Sequence, residues 1–304
     1  YGDHRDLHLS LRRQRQMCIR DSPMADGTFW QPENYDRKFL GWMTMRQALY
    51  MSRNVVTTQI LQKIGPRTGV AYAKKLGIKT RLRPYLSLAM GTSEVTLMDM
   101  VAAYGTYPNN GIHVEPIAIT RIIDKDGDVL EDRVQGKETV ALSAETAAVA
   151  VNMLQSVMDE PKGTGYHGAR RVHRFRRPAA GKTGTTQNFA DTWFVGFTPQ
   201  IVAGVWIGFD AKVSLGDRMS GAVVAVPVWA RFMKRIHEVL DLPPEAFELP
   251  VTVPQLEVCD QTFEVATIYC PNPFKEVFLP GTCLLYTSDA ADEGLGVDLG
   301  GRRI

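Results

Sequence analysis

Apolar residues recur at helical spacing from Met45 onward: Met45, Ala48, Leu49 and Met51, then Val55, Val56, Ile60, Leu61 and Ile64. This stripe predicts a helix after a Thr44 N-cap, continued by a second helix. Ser52-Arg53-Asn54 interrupts it. Ser and Asn compete with a helix for backbone hydrogen bonds, so a break there would aim both polar side chains out of a helix-helix joint. Pro66 suits the first turn of another helix over 66–76, with Gly77 past its end as a cap. Leu86 to Met90 is a short apolar run. A helix over 96–104 is stopped by Pro108-Asn109-Asn110-Gly111, and Ser143 caps an apolar helix running to about Met158.

A shorter period takes over elsewhere. Residues 117–123 and 129–134 read as strands, and Asp124-Lys125-Asp126-Gly127 between them is a strong hairpin signal. Residues 192–198 and 201–209, rich in Val, Ile, Trp and Phe, predict two strands joined at Pro199-Gln200. A third strand edge is expected just before them, at Gly181-Lys182-Thr183-Gly184-Thr185-Thr186. Such tight connections require an antiparallel sheet. Trp193, Phe194 and Phe197 are expected in the core, and a helix follows over 223–240 with Pro227 in its first turns. Residues 23–43, with Phe29, Trp30, Pro32, Tyr35 and Gly41, show little periodicity and predict an extended, aromatic-anchored loop.

Both ends look foreign to this plan. Residues 1–22 and 283–304 lack sustained apolar periodicity, and Arg15 to Ser22 and Cys283 to Glu293 resemble translated sequencing-adapter read-through. They are set aside as non-native segments, the alternative being a natural basic arm and acidic tail. This leaves residues 23–242 as the main domain. Pro243, Pro244, Pro250 and Pro254 lead into a small strand-rich extension over 243–282. Of the four cysteines, Cys259 and Cys270 remain. They either bridge a hairpin in an oxidising compartment or stay as two free thiols, and no His or second cysteine pair at ligand spacing makes them a metal site.

The composition adds limits. At 304 residues and 44% apolar the chain can bury a full core, and a net charge of +2 favours no polyanionic partner. The run Arg170, Arg171, Arg174, Arg176 and Arg177 reads as a solvated face, so no nucleic-acid partner is expected. No stretch of about 18 apolar residues suits a membrane span, and no signal peptide opens the chain.

The chemistry gathers at the hydroxylated strand edge. Lys182 offers a point charge, Thr183, Thr185 and Thr186 offer short hydrogen bonds, and Gly184 allows close backbone approach, which suits an anionic substrate. A nucleotide loop is excluded because position 176, where it needs glycine, is Arg. Ser52-x-Asn54 alone means nothing, since about one such tripeptide is expected in a chain this long. Lys-Thr-Gly-Thr is expected in roughly one such chain in a few hundred.

In this order the two motifs match the later parts of the series Ser-x-x-Lys, Ser-x-Asn, Lys-Thr-Gly. Residues 23–282 resemble the transpeptidase domain of class A penicillin-binding proteins, the bifunctional peptidoglycan synthases. Trp30 to Tyr35, Leu86 to Gly91, Trp193 to Pro199 and Phe278 to Thr282 are similar to that family's recurrent stretches. The resemblance implies an α+β fold of the penicillin-binding and serine β-lactamase kind: an antiparallel sheet flanked by helices, a mostly helical subdomain, and the site in the groove between. It implies Ser52 and Lys182 in a proton relay and Asn54 on the substrate amide. Thr183 and Thr185 would hold the terminal carboxylate, and the Thr185 N–H would form half of an oxyanion hole. Peptidoglycan stem peptides, β-lactams and the cell-wall synthesis machinery are the implied partners, with no cofactor and no metal. The implied location is the outer side of the bacterial inner membrane, through an anchoring helix outside this chain.

The departure is the first motif. None of the ten serines is followed three residues later by Lys, so no nucleophile of the family's kind is present. The expectation is that the N-terminal part of the domain is missing and the chain is inactive alone. A serine β-lactamase-like hydrolase and a non-catalytic penicillin sensor are the alternatives. The first lacks a deacylating Glu-x-x-Leu-Asn here, and the second would itself need the nucleophile.

Overall fold

The computed structural model describes residues 22–23, 29–30, 32–41, 43–133 and 136–282. Apart from Ser22, the segments read as foreign lie outside the described residues, as do Gln31 and Trp42 of the aromatic loop. The chain divides into two compact units, one holding Ile19–Phe39 and Met45–Glu248, the other holding Leu40–Thr44 and the residues from Leu249.

In the larger unit, β1 (Ser22–Pro23) pairs with β2 (Phe29–Trp30), and helices α1 (Met45–Tyr50), α2 (Asn54–Ile64) and α3 (Pro66–Lys75) follow. The break expected at Ser52-Arg53-Asn54 is there. The Leu86–Met90 run is one turn of 3-10 helix. Helix α4 (Leu97–Gly105) starts at a Thr96 cap that accepts from the Asp99 N–H. Strand β3 (Ile112–Val114) pairs with the distant β6 (Glu138–Val140), enclosing the hairpin of β4 (Arg121–Ile123) and β5 (Val129–Asp132). Both hairpin strands are shorter than the sequence suggests. Their residues are largely exposed. Helix α5 (Ala144–Asp159) begins at Ser143, whose side chain accepts from the Thr146 N–H.

The sheet that organises the unit is β7 (Ala180–Thr185), β8 (Asp191–Phe197) and β9 (Val202–Gly208), antiparallel in that order. Side chains of β8 alternate between its two faces. Phe194 points to a core with Met158, Phe175, Ala225, Val226, Trp229 and Met233, four of them from helix α6 (Ala225–Val239). Phe197 points to the other, with Val151 and Leu154 of α5 and, half-buried beside them, Leu49, Tyr104 and Tyr107. Trp229 is fully buried, and its indole N–H donates to the Gly196 and Ala203 carbonyls at 3.3 and 3.1 Å, which fixes α6 across the sheet. The expected core placement holds for Phe194 and Phe197. Trp193 is only half-buried, on the outer part of the sheet against Trp206.

The solvated-face reading of the arginine run needs correction at Arg170. Its side chain is buried, 2.7 Å from the Asp159 carboxylate, and donates to the Phe175 and Arg177 carbonyls at 2.6 and 2.7 Å. It ties a wide helical turn, His167–Val172, to the end of α5, while Arg171, Arg174 and Arg176 are exposed. Composition cannot separate one clamping arginine from its solvated neighbours.

Residues 243–247 stay with the larger unit, and the division falls after Glu248. Gln200 donates to the Pro243 carbonyl and the Glu245 carboxylate at 3.0 and 2.8 Å, and Phe247 meets Phe197 edge-on at 5.7 Å. The smaller unit holds one hairpin among the described residues, β10 (Gln255–Cys259) antiparallel to β11 (Pro273–Val277). No helix among the described residues is long and apolar enough to cross a membrane.

Trp229→Ala should cost about 3–5 kcal/mol in urea unfolding of the full chain, because a fully buried indole leaves a large cavity and its two hydrogen bonds to the sheet are lost. A cost under about 1 kcal/mol would remove Trp229 from the centre of the packing.

Candidate active site

Ser52 sits at a strained position. Helix α1 ends with the Ser52 N–H on the Leu49 carbonyl at 3.1 Å and the Arg53 N–H on the Ala48 carbonyl at 2.8 Å, the paired bonds of a Schellman cap. The residue at Ser52 must turn left-handed to make them, and its φ is 55°. Glycine usually fills that place, and a side chain there costs about 1–2 kcal/mol. A serine held against this cost points to a use for its hydroxyl.

The two residues after it anchor the joint. Arg53 is buried and its guanidinium lies 2.7 Å from the Asp36 carboxylate, which it holds below the usual carboxylate range. Asn54 opens α2 and donates to the Glu33 carbonyl at 2.9 Å. Asn34 accepts from the Val55 N–H at 3.3 Å and donates to the Lys38 carbonyl at 2.9 Å. The aromatic loop is thereby laced over the start of α2, and one Asn54 amide proton is spent on that lacing.

Lys182, 130 residues away in sequence, comes from β7 to meet Ser52, donating to its Oγ at 2.7 Å. The same ammonium donates to the Thr183 carbonyl at 3.0 Å. Among the described residues no carboxylate pairs with it. The amine has given up water for neutral dipoles, and this desolvation pulls it down to about 8. Roughly a tenth of such amines are neutral at pH 7, enough to take up a proton as well as hold one.

The Thr183 hydroxyl donates to Thr164 Oγ1 at 2.9 Å, and the Thr164 N–H donates to the Tyr50 carbonyl at 3.1 Å. Thr164 thus joins the end of α1 to β7 on the side next to Lys182. It can do so because its flanks are glycines: a Cβ on Gly163 would lie 2.4 Å from the Val157 carbonyl oxygen, and one on Gly165 2.6 Å from the Met158 sulfur. Gly163 and Gly165 read from the sequence as turn glycines, which leaves the threonine between them unremarked. The paired glycines were the available signal.

The remaining predicted residues lie along the same strand with different tasks. Gly184 faces Trp193 across the ladder. Thr185 Oγ1 accepts from the Gly221 N–H at 3.0 Å, so a loop reaches over that end of β7. The Thr186 hydroxyl accepts from the Asp191 N–H at 2.8 Å and closes the β7–β8 connection. In that connection Phe189 meets Tyr35 of the aromatic loop edge-on at 6.2 Å. The structure therefore brings Ser52, Lys182 and Thr183 together, adds Thr164, and gives Asn54 and Thr186 partners of their own.

Residues 14–234 match the family described as the penicillin binding protein transpeptidase domain. The chain belongs to that family. It is 43% identical over 245 residues to Penicillin-binding protein 1A of Aquifex aeolicus, covering 79% of this chain and 33% of that protein. It is 34% identical over 237 residues to Penicillin-binding protein 1A of Neisseria gonorrhoeae, covering 74% of this chain and 29% of that protein. The chain thus spans about a third of the length of these curated relatives. Among solved structures, Penicillin-Binding Protein 1A from Haemophilus influenzae superposes with a TM-score of 0.76 at 24% identity, over 92% of this chain and 47% of the other. The PonA1 protein of Mycobacterium tuberculosis in complex with penicillin V gives 0.64 at 21%, over 79% and 68%. The fold is therefore that of penicillin-binding transpeptidase domains.

Two measurements check this transpeptidase-family site. Ser52→Gly should be more stable than Ser52→Ala by about 1 kcal/mol in urea unfolding, since both lose the hydroxyl and only alanine keeps the left-handed strain. Equal stabilities, or alanine ahead, would mean the cap is not strained. Lys182 should titrate near 8 by NMR of its side-chain carbons. An unfolded lysine holds its proton to about 10.4, so the unfolded chain binds more protons between the two values. Wild type should accordingly gain stability relative to Lys182→Met as pH rises through that window, and a loss would reverse the assignment.

Proposed function

We propose that this chain forms two walls of a D,D-transpeptidase site that cross-links peptidoglycan stem peptides through a serine acyl-enzyme. The observation that carries the reading is the 2.7 Å bond from Lys182 to Ser52, which unites the second and third motifs in one proton path. In this reading a serine attacks the D-Ala-D-Ala carbonyl, the terminal D-Ala leaves, and an amine of a neighbouring stem takes the acyl group. Ser52 and Lys182 pass the proton toward the leaving amine and back from the attacking one. A lysine that titrates near neutrality suits both directions.

Thr183 and Thr185 hold the terminal carboxylate, with Lys182 adding positive potential close by. The Thr185 N–H serves as one oxyanion donor, and being fixed on a strand it needs little reorganisation as charge develops. Gly184 leaves the backbone open to the substrate. Asn54 is assigned to the substrate amide through whichever of its bonds the Glu33 carbonyl does not take. Stem peptides, β-lactams and the cell-wall synthesis machinery are the proposed partners, on the outer side of the bacterial inner membrane.

The attacking serine belongs to a Ser-x-x-Lys that these 304 residues do not contain. The chain alone is therefore proposed to bind without acylating. Its absence of Glu-x-x-Leu-Asn weighs against a β-lactamase-like hydrolase.

A fluorescent penicillin should leave no covalent label on the isolated chain. A longer protein in which Ser-x-x-Lys precedes these residues should be labelled, and Lys182→Ala in that protein should slow acylation by at least about a hundredfold. Label on the isolated chain that excess unlabelled penicillin blocks would overturn the proposed inactivity. An unchanged rate in the Lys182 variant would overturn the relay.

A further inference from the structure

Residues 249–282 of the smaller unit bury little apolar core for their length. In residues 249–282 the buried hydrophobic side chains are Val253, Val258, Cys259 and Val277, whereas Val251, Ile268 and Tyr269 are exposed. A segment this small ordinarily needs a covalent or metal staple to keep one conformation. Among the described residues of this segment the regular strand pairing is β10 with β11, and Cys259 is the last residue of β10, opposite Pro273.

Between those strands the chain folds back on itself. The Cys259 N–H donates to the Glu264 carbonyl at 2.8 Å and the Phe263 N–H to the Cys259 carbonyl at 2.9 Å, while Val258 bridges Val265. The chain turns again where the Cys270 N–H donates to the Thr267 carbonyl at 3.0 Å. This second turn, with Ile268 and Tyr269 facing solvent, has little apolar contact to hold it. It nevertheless carries Cys270 back to Cys259: the two sulfurs and an Asp260 carboxylate oxygen lie within 4.8 Å of one another. Both cysteines are in the thiol form in the structure.

We propose that Cys259 and Cys270 are a disulfide-forming pair that staples the 260–272 loop across the open end of the hairpin. The family match ends at residue 234, well before the pair, and the proposal is independent of the acyl-transfer reading. The oxidant is a disulfide donor of the glutathione or dithiol-oxidoreductase class. One thiolate of the pair attacks one donor sulfur and expels the other as a thiol, leaving a mixed disulfide. The other cysteine then loses its proton and attacks the protein sulfur of that mixed disulfide, expelling the second donor thiol. Two protein thiols are oxidised and one donor disulfide is reduced to two thiols.

Burial and hydrogen bonding shift the two thiols in opposite directions. Burial pushes the Cys259 thiol up, but bonds from Cys270 and from the Thr262 and Gln261 N–H groups outweigh it, and the net direction is down. Burial and the neighbouring Cys259 push the Cys270 thiol up.

The full chain, equilibrated with oxidised glutathione and alkylated after denaturation, should protect Cys259 and Cys270 while Cys18 and Cys283 are labelled. A non-reduced digest should hold the two residues in one species about 2 Da lighter than its reduced form. Reductant, or Cys270→Ser, should speed proteolysis within 260–272 about a hundredfold, the order expected for opening a short cross-linked loop. Because the mass measurement uses wild type, a variant that fails to fold does not blunt it. Alkylation of both cysteines after oxidation overturns the proposal. So does one equivalent of Zn2+ bound through the two thiolates and lost in Asp260→Asn, which would make the cluster a metal site.

Discussion

A lysine that has lost its hydration shell without gaining a carboxylate sets the terms for the rest of the larger unit. Lys182 is tolerable only because Ser52 and the Thr183 carbonyl replace water at hydrogen-bond distance. Each must therefore be held from behind. Ser52 is held by the cap of α1, with Arg53 pinned to Asp36 beneath it. Thr183 is held by Thr164, which hangs from the Tyr50 carbonyl. The end of one short helix thus fixes the serine partner of the amine and, through Thr164, the Thr183 side chain, while the Thr183 carbonyl is carried by β7 itself.

The sheet supplies the rigidity this requires. Among the described residues strand β7 forms one edge of the three-stranded sheet, and β8 holds it from the other side. Behind β8, Trp229 locks α6 to two strands at once, and Arg170 locks the turn that leads into β7. The polar site rests on two apolar layers, each centred on a phenylalanine of β8. This is the usual division of labour: packing fixes the backbone, and the backbone fixes the donors.

The strain at the site has an identifiable purpose. A left-handed serine is retained where glycine would relax the cap, and it is the residue the lysine touches. Around Thr164 the reverse choice is made: glycines on both sides give the chain room to pass over the end of α5, so that one threonine reaches β7. Side chains appear where a hydrogen bond is needed and vanish where backbone must pass.

Much of the fold is legible in the sequence by itself because it is local. The helix starts at Thr96 and Ser143, the break at Ser52, the hairpin around Asp124 and Gly127, and the three central strands all follow from capping, turn chemistry and periodicity within a few residues. The motif residues and the family were legible for the same reason: the chemistry is written in short runs. Tertiary structure decided the rest. Periodicity says which face is apolar but not what covers it, so the pairing of β3 with β6 and the burial of Arg170 were invisible. No local signal says that Asn54 and Thr186 each spend hydrogen bonds on neighbouring backbone, or that Thr164 reaches Thr183. Above all, the distance between Ser52 and Lys182 is set by a helix cap, a glycine-flanked loop and a sheet edge acting together across 130 residues. Only the folded chain brings those three to one point.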